Sequence, residues 1–272
     1  MPIAAVTGAS RGIGRATAQA FASAGYQVFA LARSMPDLRV LAGIAPAGTI
    51  VPVELDITVD QSREAAVRRI LDETGGYGLD VLVNNAGYGQ EGAIEDVPVE
   101  AMRKQFEVNV FGLLAFTQPF ISPMRERGTG RIVNISSAAG RFSTPFEGVY
   151  SASKFALEAM SDAMRRELRP FGIAVILIEP GPIKTDFGRV AGENAVRREN
   201  SPYSVRLARF RNAQTGNRLF RRSPESVARV VVRAVQSEHP RPRYVITVPA
   251  RLAELGRMVP DRLVDAVIGR MM

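Results

Sequence analysis

The chain contains no cysteine and no tryptophan, one histidine and only three lysines among its 272 residues. Without cysteine it can form no disulfide, no thiolate metal site and no cysteine nucleophile. His239 is the single histidine and lies beside Pro240 in a predicted loop, so we expect no protein-held transition metal. These absences exclude disulfide-stapled proteins, cysteine-dependent enzymes and zinc proteins.

Long apolar runs are also missing. No run reaches the roughly 18 residues needed to cross a bilayer, because Arg, Asp or Gly interrupts each candidate. Met1 and Pro2 lead directly into apolar residues 3–6, which leaves no room for an export signal. With 46% hydrophobic and 23% charged residues, the composition is that of an ordinary globular protein. The sequence therefore predicts a cytoplasmic protein, and its length favours one domain over residues 1–272.

The positive charge is concentrated in one segment. The formal net charge is +8, and residues 187–222 alone contain nine arginines against Glu193 and Glu199. Because the rest of the chain is nearly neutral, we expect no nucleic-acid partner. The arginines either form a solvated face or recognise an anionic group of a substrate, and salt dependence of substrate binding would separate the two.

Short apolar runs alternate with longer segments of helical period, which is typical of βαβ units around a parallel sheet. We predict an α/β, Rossmann-type, doubly wound fold with a seven-stranded, mainly parallel sheet and helices on both faces. The predicted strands are residues 3–7, 27–32, 50–55, 81–84, 131–136, 174–178 and 244–247. The predicted helices are residues 13–24, 59–73, 99–125, 149–169 and 224–236.

Two further segments stand out. Residues 181–222 are too long for an ordinary connection and predict a lid or substrate loop. Residues 250–272 carry apolar side chains at helical spacing and predict a C-terminal helical extension. Packing on the core or on another subunit explains that extension most simply. A peripheral membrane contact is the alternative, which co-sedimentation with liposomes would test.

A glycine-rich turn, Thr7-Gly8-Ala9-Ser10-Arg11-Gly12-Ile13-Gly14, joins the first predicted strand to the first helix. Glycines permit a tight turn there and let the backbone approach a pyrophosphate, which the free amides of a helix start stabilise. The spacing is GxxxGxG rather than the general dinucleotide fingerprint GxGxxG. A turn without a ligand is the alternative, but the strand-to-helix context favours cofactor binding.

The glycine turn is the first of four motifs whose order and mutual distances resemble the short-chain dehydrogenase/reductase family. The other three are Asn84-Asn85-Ala86-Gly87, Tyr150-Ser151-Ala152-Ser153-Lys154 and Pro180-Gly181-Pro182-Ile183-Lys184-Thr185. The resemblance covers roughly residues 1–250, and the segment around Tyr150 is similar to that of hydroxysteroid and retinol dehydrogenase-like members. It implies an enzyme that interconverts a carbonyl and a secondary alcohol by hydride transfer to or from a nicotinamide cofactor.

The resemblance also implies roles for four residues. Tyr150 is the general acid in carbonyl reduction and the general base in alcohol oxidation. Residues four apart share a helix face, so Lys154 can lie beside Tyr150 and, with an oxidised nicotinamide, favour the phenolate. Ser137 matches the serine that holds the substrate oxygen, and strand alternation should turn its neighbour Ser136 away. Asn109 matches an asparagine that holds a water between the lysine and solvent, or is bonded locally within its helix.

The end of the second predicted strand bears on cofactor choice. NAD-using relatives tend to carry an acid there, whereas this chain has Arg33. Arg33 and Arg11 can bind a 2′-phosphate through charge-assisted hydrogen bonds, which predicts NADP(H) in preference to NAD(H), unless both arginines are merely solvated. By resemblance, Asp56 contacts the adenine. The predicted cofactor-binding residues are Gly8, Ser10, Arg11, Gly12, Ile13, Gly14, Arg33, Asp56, Ile57, Asn84, Ala86, Gly87, Tyr150, Lys154, Pro180, Gly181, Ile183 and Thr185.

The substrate and the assembly are less constrained by the sequence. Tyr88, Phe142, Phe146 and Phe187 flank the motifs and either line a pocket for a bulky lipophilic alcohol or ketone or belong to the core. The resemblance implies a homodimer or homotetramer, built through the fourth and fifth helices of the fold. The small or flexible positions compatible with such packing are Ala156, Ala159, Met160, Ala163 and Met164. A non-catalytic NADP-sensing or nucleic-acid-binding regulator on the same fold is the alternative function.

Overall fold

The computed structural model describes residues 1–46, 48–216, 221–248, 250–251 and 259–271. Seven strands form one sheet in the order β3-β2-β1-β4-β5-β6-β7. Every pairing between these neighbours is parallel, which confirms the predicted doubly wound α/β fold. The strands are β1 Ile3–Thr7, β2 Gln27–Ala32, β3 Ile50–Glu54, β4 Val81–Asn84, β5 Gly130–Ile135, β6 Ile173–Glu179 and β7 Arg243–Val245.

Helices fill the intervals between the strands. They are α1 Gly12–Ser23, α2 Met35–Gly43, α3 Asp60–Glu73, α4 Val99–Phe106, α5 Gly112–Glu126, α6 Gly148–Leu168, α7 Phe187–Glu193, α8 Ser204–Gly216, α9 Pro224–Gln236 and α10 Asp261–Met271. A π turn, Glu107–Phe111, joins α4 to α5, so the single helix predicted over 99–125 contains an extra residue in its middle turn. A short 3₁₀ turn, Ala138–Gly140, follows β5.

The strands bury both faces because helices cover the sheet on both sides. Ala4 and Val6 of β1 pack in one cluster with Phe21 of α1 and Val231 of α9. Ala5 faces the other way and packs in a cluster with Phe116 of α5. This alternation explains why the strands read as nearly continuous apolar runs rather than as alternating polar and apolar residues.

The sheet reverses its direction of growth between β1 and β4, which are neighbours in space but far apart in the chain. In open parallel sheets, a crevice forms at the carboxyl ends of the strands where this reversal occurs. Here the glycine turn after β1 and the Asn85 segment after β4 lie side by side at that edge. The topology thus brings together motifs that are more than 70 residues apart in the chain.

The long segment 181–222 has more internal structure than a loop. It contains α7 and α8, and its two ends are tied together by a parallel bridge between Ile183 and Arg222. The Lys184 amide donates to the Arg222 carbonyl at 2.8 Å, and the Arg222 amide donates to the Pro182 carbonyl at 3.1 Å. Of the predicted C-terminal extension, 250–251 and 259–271 are described and include α10; residues 252–258 and 272 lie outside the described residues. Among the described residues, no helix is long and apolar enough to cross a membrane.

Candidate active site

A threonine clamp holds the glycine turn against the end of β4. The Thr7 hydroxyl accepts hydrogen bonds from the backbone amides of Asn85 at 2.9 Å and Ala86 at 3.0 Å. In return, the Asn85 side-chain amide donates to the carbonyls of Thr7 at 2.9 Å and Gly8 at 3.3 Å. Sequence reasoning missed both Thr7 and Asn85 as organising residues, although each belongs to a motif and each ends or follows a strand.

The glycines of the turn are required by its geometry. Gly8 and Gly12 have φ of +65° and +56°, in the left-handed region that glycine tolerates best. A Cβ atom on Gly14 would lie 2.3 Å from the Gly8 carbonyl oxygen and 2.5 Å from Asn85 Nδ2. Helix α1 begins at Gly12, and the side chain of its N-cap residue Arg11 makes no capping hydrogen bond. The first amides of α1 can therefore bind a pyrophosphate, and the turn fits a dinucleotide.

The other predicted residues on this side divide into two groups. Ser10, Ile13, Ala86 and Gly87 lie on the turn or directly after β4, at the edge of the crevice. The Asn84 side chain instead lies in the interior, where Nδ2 donates to Thr117 Oγ1 and Asn134 Oδ1, both at 2.9 Å. It joins β4 to β5 and α5. The predicted contact of Asn84 with the cofactor would therefore have to come from its backbone, since its side chain is buried and its amide nitrogen donates within the interior.

Arg33 and Asp56 follow neighbouring strands at the same edge. Arg33 is exposed after β2, and Asp56 is partly buried after β3. Burial opposes ionisation of Asp56. Hydrogen bonds from the Thr58 amide and hydroxyl, with the charges of Arg33 and Arg63, nevertheless hold the pKa of that carboxyl below its usual value. Arg11 is exposed on the glycine turn, and Ile57 is buried beside Asp56.

Ser137, Tyr150 and Lys154 come together at the carboxyl end of β5. Tyr150 is 7% exposed, and its side chain is hydrogen-bonded to that of Ser137. Lys154 Nζ lies 6.0 Å from the centre of the Tyr150 ring and donates to the Ile135 carbonyl at 2.8 Å. This carbonyl fixes the position of the ammonium, because it ends a strand in the middle of the sheet.

The two titratable groups of this cluster are both perturbed by burial. Burial raises the pKa of Tyr150, the hydrogen bond from Ser137 opposes this rise, and the charge of Glu147 reinforces it. Burial also lowers the pKa of Lys154 to about 8, which the carboxylate of Glu158 opposes. In the protein alone, the phenol is therefore protonated at neutral pH and the lysine is mostly cationic. This is the state that a proton donor requires.

Ser136 and Asn109 occupy different positions from these three groups. The Ser136 side chain lies near Gly140 and Glu158 instead, since a Cβ atom on Gly140 would lie 2.9 Å from Ser136 Oγ and 3.0 Å from Glu158 Cγ. Asn109 is fully buried within the π turn. Its Nδ2 donates to the Tyr88 carbonyl and to Ser153 Oγ, both at 3.1 Å, and its Oδ1 accepts from the Tyr88 amide at 3.2 Å. Its partners are therefore in the segment after β4 and in α6 rather than in its own helix.

A cavity of about 50 Å³ adjoins Tyr150. Of the four aromatic residues predicted to be pocket or core, Phe187 lines this cavity, and its ring centre lies 5.5 Å from that of Tyr150. Phe146 is core, in a cluster with Ala93 and Leu207, whereas Tyr88 and Phe142 are partly buried. The residues that line the cavity are Gly89, Gln90, Glu91, Glu147, Tyr150, Phe187, Gly188 and Ala191.

Helix α8 packs over this region through Leu207 and Phe210, which contact the Phe146 cluster, and through polar contacts. Glu91, whose side chain is 4% exposed, forms an ion pair with Arg211 of α8 at 3.3 Å. Burial raises the pKa of Glu91, opposed by Arg211 and Arg197 and reinforced by Glu147. Beyond it, the Tyr203 hydroxyl donates to Glu95 at 2.9 Å. Part of the arginine-rich segment thus pairs with carboxylates of the protein itself.

The Pro180 motif connects the two halves of the site. The Pro180 carbonyl accepts from the Ala138 amide at 2.9 Å, which ties the motif to the segment that carries Ser137. A Cβ atom on Gly181 would lie 2.1 Å from Thr247 Oγ1, and Ile183 forms the bridge to Arg222. Thr185 borders, with Gly12, a cavity of about 530 Å³ beside the glycine turn. Across the described ranges, no group of three or more His, Cys, Asp or Glu residues could hold a metal ion.

Comparison with known proteins identifies the family. A family model described as short chain dehydrogenase matches residues 2–195. The NADPH-dependent 3-dehydrocapnine reductase of Ornithobacterium rhinotracheale is 36% identical over 98% of this chain and 96% of its own length. The 3-ketodihydrosphingosine reductase of Bacteroides thetaiotaomicron is 36% identical over 73% of this chain and 70% of its own length. A solved short-chain dehydrogenase from Streptomyces avermitilis superposes with a TM-score of 0.86 at 32% identity, covering 99% of this chain and 96% of that one. The chain is therefore an oxidoreductase of the short-chain dehydrogenase family.

Proposed function

We propose that this protein reduces a ketone to a secondary alcohol with NADPH, and that Tyr150 donates the proton. The observation that carries this proposal is the grouping of Ser137, Tyr150 and Lys154 around one buried hydroxyl beside a cavity. When bound, NADPH would supply the hydride. The presence of Asn109 with these three residues favours an enzyme over a regulator that keeps only the fold.

Three residues have distinct roles in the proposed reduction. Tyr150 gives its proton to the carbonyl oxygen as the negative charge develops there. Ser137, already hydrogen-bonded to the tyrosine, holds the same oxygen by its hydroxyl. Lys154, fixed by the Ile135 carbonyl, stabilises the tyrosine after the proton has left. The raised pKa of Tyr150 favours reduction, because the phenol is held in its protonated form at neutral pH.

Asn109 has a positioning role in this proposal. Its side-chain amide hydrogen-bonds to the backbone amide and the backbone carbonyl of Tyr88, and also to the Ser153 hydroxyl of α6. The Ser153 hydroxyl in turn donates to the Tyr150 carbonyl at 2.7 Å. Any water that connects Lys154 with solvent would have to be held alongside these contacts. Asn109 thereby fixes the turn of α6 that carries the reacting tyrosine.

NADP(H) is the proposed cofactor because of the residue that follows β2. NAD-using relatives tend to carry a carboxylate there, which would repel a 2′-phosphate, whereas this chain carries the guanidinium group of Arg33. Arg33 is exposed at the end of β2, and Arg11 is exposed on the adjacent glycine turn. The NADPH-dependent relative from Ornithobacterium supports the same choice. The proposed binding residues on the pyrophosphate side are Gly12, Ile13, Gly14 and Thr185.

Arg33→Ala is the experiment that tests cofactor choice. Since a hydrogen bond to a charged group contributes about 1.5–3 kcal/mol, we expect NADPH affinity to fall about 10- to 100-fold while NADH affinity stays unchanged. Both cofactors are titrated into wild type and variant by their own fluorescence, in a chain without tryptophan. Arg233→Ala, which removes an exposed arginine of α9, is the matched control. Equal wild-type affinity for the two cofactors, or binding of neither, would contradict the proposal.

The proposed substrate is a lipophilic ketone admitted by movement of the segment 181–222. Phe187 and Ala191 of α7 supply apolar surface beside Tyr150, and two relatives are named as reductases of a 3-keto and a 3-dehydro compound. The cavity of about 50 Å³ is much smaller than the roughly 300–1,000 Å³ of typical ligand sites. A bulky ketone therefore requires α7 and α8 to shift outward.

The charge of the cavity bears on which ketones fit. Glu91 and Glu147 both border the space beside Tyr150. A carboxylate on the substrate next to its carbonyl would face Glu147 and also Glu91, whose charge Arg211 partly offsets, in a poorly solvated site. This arrangement favours substrates that are neutral or cationic near the carbonyl, rather than the anionic group considered from the arginine-rich segment.

A series of ketones matched in chain length tests this preference. We expect a ketone with an adjacent carboxylate to have a kcat/KM about tenfold below that of its neutral analogue, about 1.4 kcal/mol of discrimination. Glu147→Gln should narrow the difference, because one repelling charge is removed. Glu126→Gln, on the exposed end of α5, should leave it unchanged. Preference for the anionic ketone by the wild type would refute the assignment.

The homodimer or homotetramer stays a prediction. Of the positions predicted for this packing, Met160 is 37% exposed in the single chain, and two apolar side chains that were not predicted are exposed as well, Phe111 at 55% and Phe155 at 38%. They lie on the π turn and on α6. A second copy that packed there would cover apolar surface of the kind that subunit interfaces bury.

A further inference from the structure

A buried carboxylate lies one helical turn beyond Lys154. Glu158 follows Lys154 by four residues on α6, so both side chains leave the same face of the helix. They are 5% and 6% exposed, respectively. The 3₁₀ turn after β5 packs against both, since a Cβ atom on Gly140 would lie 3.0 Å from Glu158 Cγ and 3.2 Å from the Lys154 carbonyl oxygen. Neither the sequence motifs nor the proposed mechanism gives Glu158 a role.

The charged and titratable groups around Glu158 come from four parts of the fold. Arg243 of β7 approaches Glu158 Oε2 at 3.4 Å, and it also contacts Asp162 at 2.7 Å and Glu179 of β6 at 3.3 Å. Arg165 of α6 pairs with Asp162 at 3.2 Å. After β5, Ser136 lies close to Glu158 against Gly140, and Arg141 acts on Glu158 by its charge; Lys154 completes the set. Burial raises the pKa of Glu158, while the charges of Arg243 and Arg141 oppose that rise and favour the carboxylate. Because Arg243 is shared among three carboxylates, the charge of Glu158 is only partly offset by that contact.

We propose that Glu158 is a positioning residue for ketone reduction: its carboxylate, one turn from Lys154 in the interior of the protein, keeps the lysine protonated beside Tyr150. This inference rests on the proposed function for its effect on rate, but its effect on the lysine is independent of catalysis. Burial alone disfavours the ammonium form and would leave Lys154 neutral in mildly alkaline solution. An opposite charge in the same poorly solvated region counteracts that tendency more strongly than it would in water. The direction agrees with the pKa of Lys154, which burial lowers to about 8 against the opposing charge of Glu158.

Glu158→Gln, nearly identical in shape, is the test. Removing the negative charge lowers the pKa of Lys154, so the ammonium form is lost at a lower pH. We expect the alkaline limb of the kcat profile for ketone reduction to move down by about one pH unit. Activity at pH 6 should stay within about twofold of wild type, and activity at pH 9 should fall about tenfold. A uniform loss at every pH would show a merely structural role and would overturn the inference.

Asp162→Asn is the matched control. It removes the same charge from the same Arg243 cluster, but Asp162 lies two turns from Lys154 rather than one. In Asp162→Asn, the alkaline limb of the kcat profile should stay at the pH of the wild type. An equal shift in both variants would overturn the specific role of Glu158. If Glu158→Gln does not fold, Glu158→Asp is the second variant, because it moves the carboxylate one methylene group closer to the helix backbone. We then expect the alkaline limb of the kcat profile to shift in the same direction by a smaller amount. No shift in Glu158→Asp would then count against the proposal.

A direct titration of the lysine separates this inference from the proposed function. The chain has only three lysines, so protein labelled with ε-¹³C lysine gives three side-chain signals, and a Lys154→Arg variant assigns the one of interest. The Lys154 midpoint should fall by about one pH unit in Glu158→Gln and stay unchanged in Asp162→Asn. A shift of this midpoint in an enzyme that reduces no ketone would refute the proposed function and leave the role of Glu158 intact. An unshifted midpoint would refute the inference, whatever the activity.

Discussion

Tyr150→Phe is expected to lower the rate of NADPH-dependent ketone reduction by about 10²–10⁴-fold, the usual contribution of a positioned acid, while NADPH affinity stays within about twofold. The variant loses the hydroxyl that carries the transferable proton. It keeps the ring, which packs 5.5 Å from Phe187 and fills the same buried site. The loss should appear in kcat rather than in cofactor binding, because the proton is needed only as charge develops on the substrate oxygen.

Single-turnover measurements with pre-bound NADPH check this expectation, since they separate hydride transfer from cofactor binding. Tyr77→Phe is the matched control. It removes an exposed phenol hydroxyl that donates to Asp80 at 2.6 Å, at the start of β4 rather than at its carboxyl end, where the motif residues lie. Its rate should equal that of the wild type. A Tyr150→Phe enzyme that retains a tenth or more of the rate would exclude Tyr150 as the general acid.

Much of the fold follows from the sequence because its signals are local and repeated. Six of the seven strands lie within one residue of their predicted bounds, since both faces of a parallel sheet are covered and each strand reads as an apolar run. β7 is shorter than predicted and begins one residue earlier, at Arg243. Arg243 was invisible as a site residue, because its partners Glu158 and Glu179 come from other elements.

The elements that escaped prediction have weak local signals. Helix α2 has only nine residues and contains Pro36 near its start, but Ser34 caps it through the Asp37 amide at 3.4 Å and it buries Leu38 and Leu41. The π turn between α4 and α5 keeps the apolar spacing of a helix, so the sequence shows no interruption there. Only the tertiary contacts of Asn109 reveal why the extra residue matters.

Site residues that lie close together in the sequence could be predicted. Contacts between side chains of different elements could not. Tyr150 and Lys154 are four apart on one helix, so their proximity follows from helical spacing alone. The Asn84 side chain points into the interior, where it hydrogen-bonds to Thr117 and Asn134, which belong to other elements. The ion pair between Glu91 and Arg211 likewise joins residues 120 positions apart. Such pairs have no signature in a single sequence.

Gly14→Ala is expected to weaken NADPH binding by about 10²-fold or more. The added methyl group would lie 2.3 Å from the Gly8 carbonyl oxygen and 2.5 Å from Asn85 Nδ2, and the carbonyl belongs to the backbone of the turn. Asn85 cannot move away freely, because its Nδ2 also donates to the Thr7 carbonyl at 2.9 Å. The backbone amide of Asn85 donates in addition to the Thr7 hydroxyl at 2.9 Å. The turn must therefore move away from the start of α1.

The consequence of that movement is specific to the cofactor. In the proposed binding mode, the amides at the start of α1 hold the pyrophosphate only while the turn before them keeps its shape, so the loss should affect NADPH and NADH alike, unlike that of Arg33→Ala. Gly43→Ala at the end of α2 is the control, because no atom lies within 4 Å of the added methyl group and φ is not positive. Fluorescence titration measures affinity, and thermal unfolding measures the accompanying overpacking cost of about 1–3 kcal/mol. Wild-type affinity for both cofactors in a folded Gly14→Ala protein would place the pyrophosphate away from this turn.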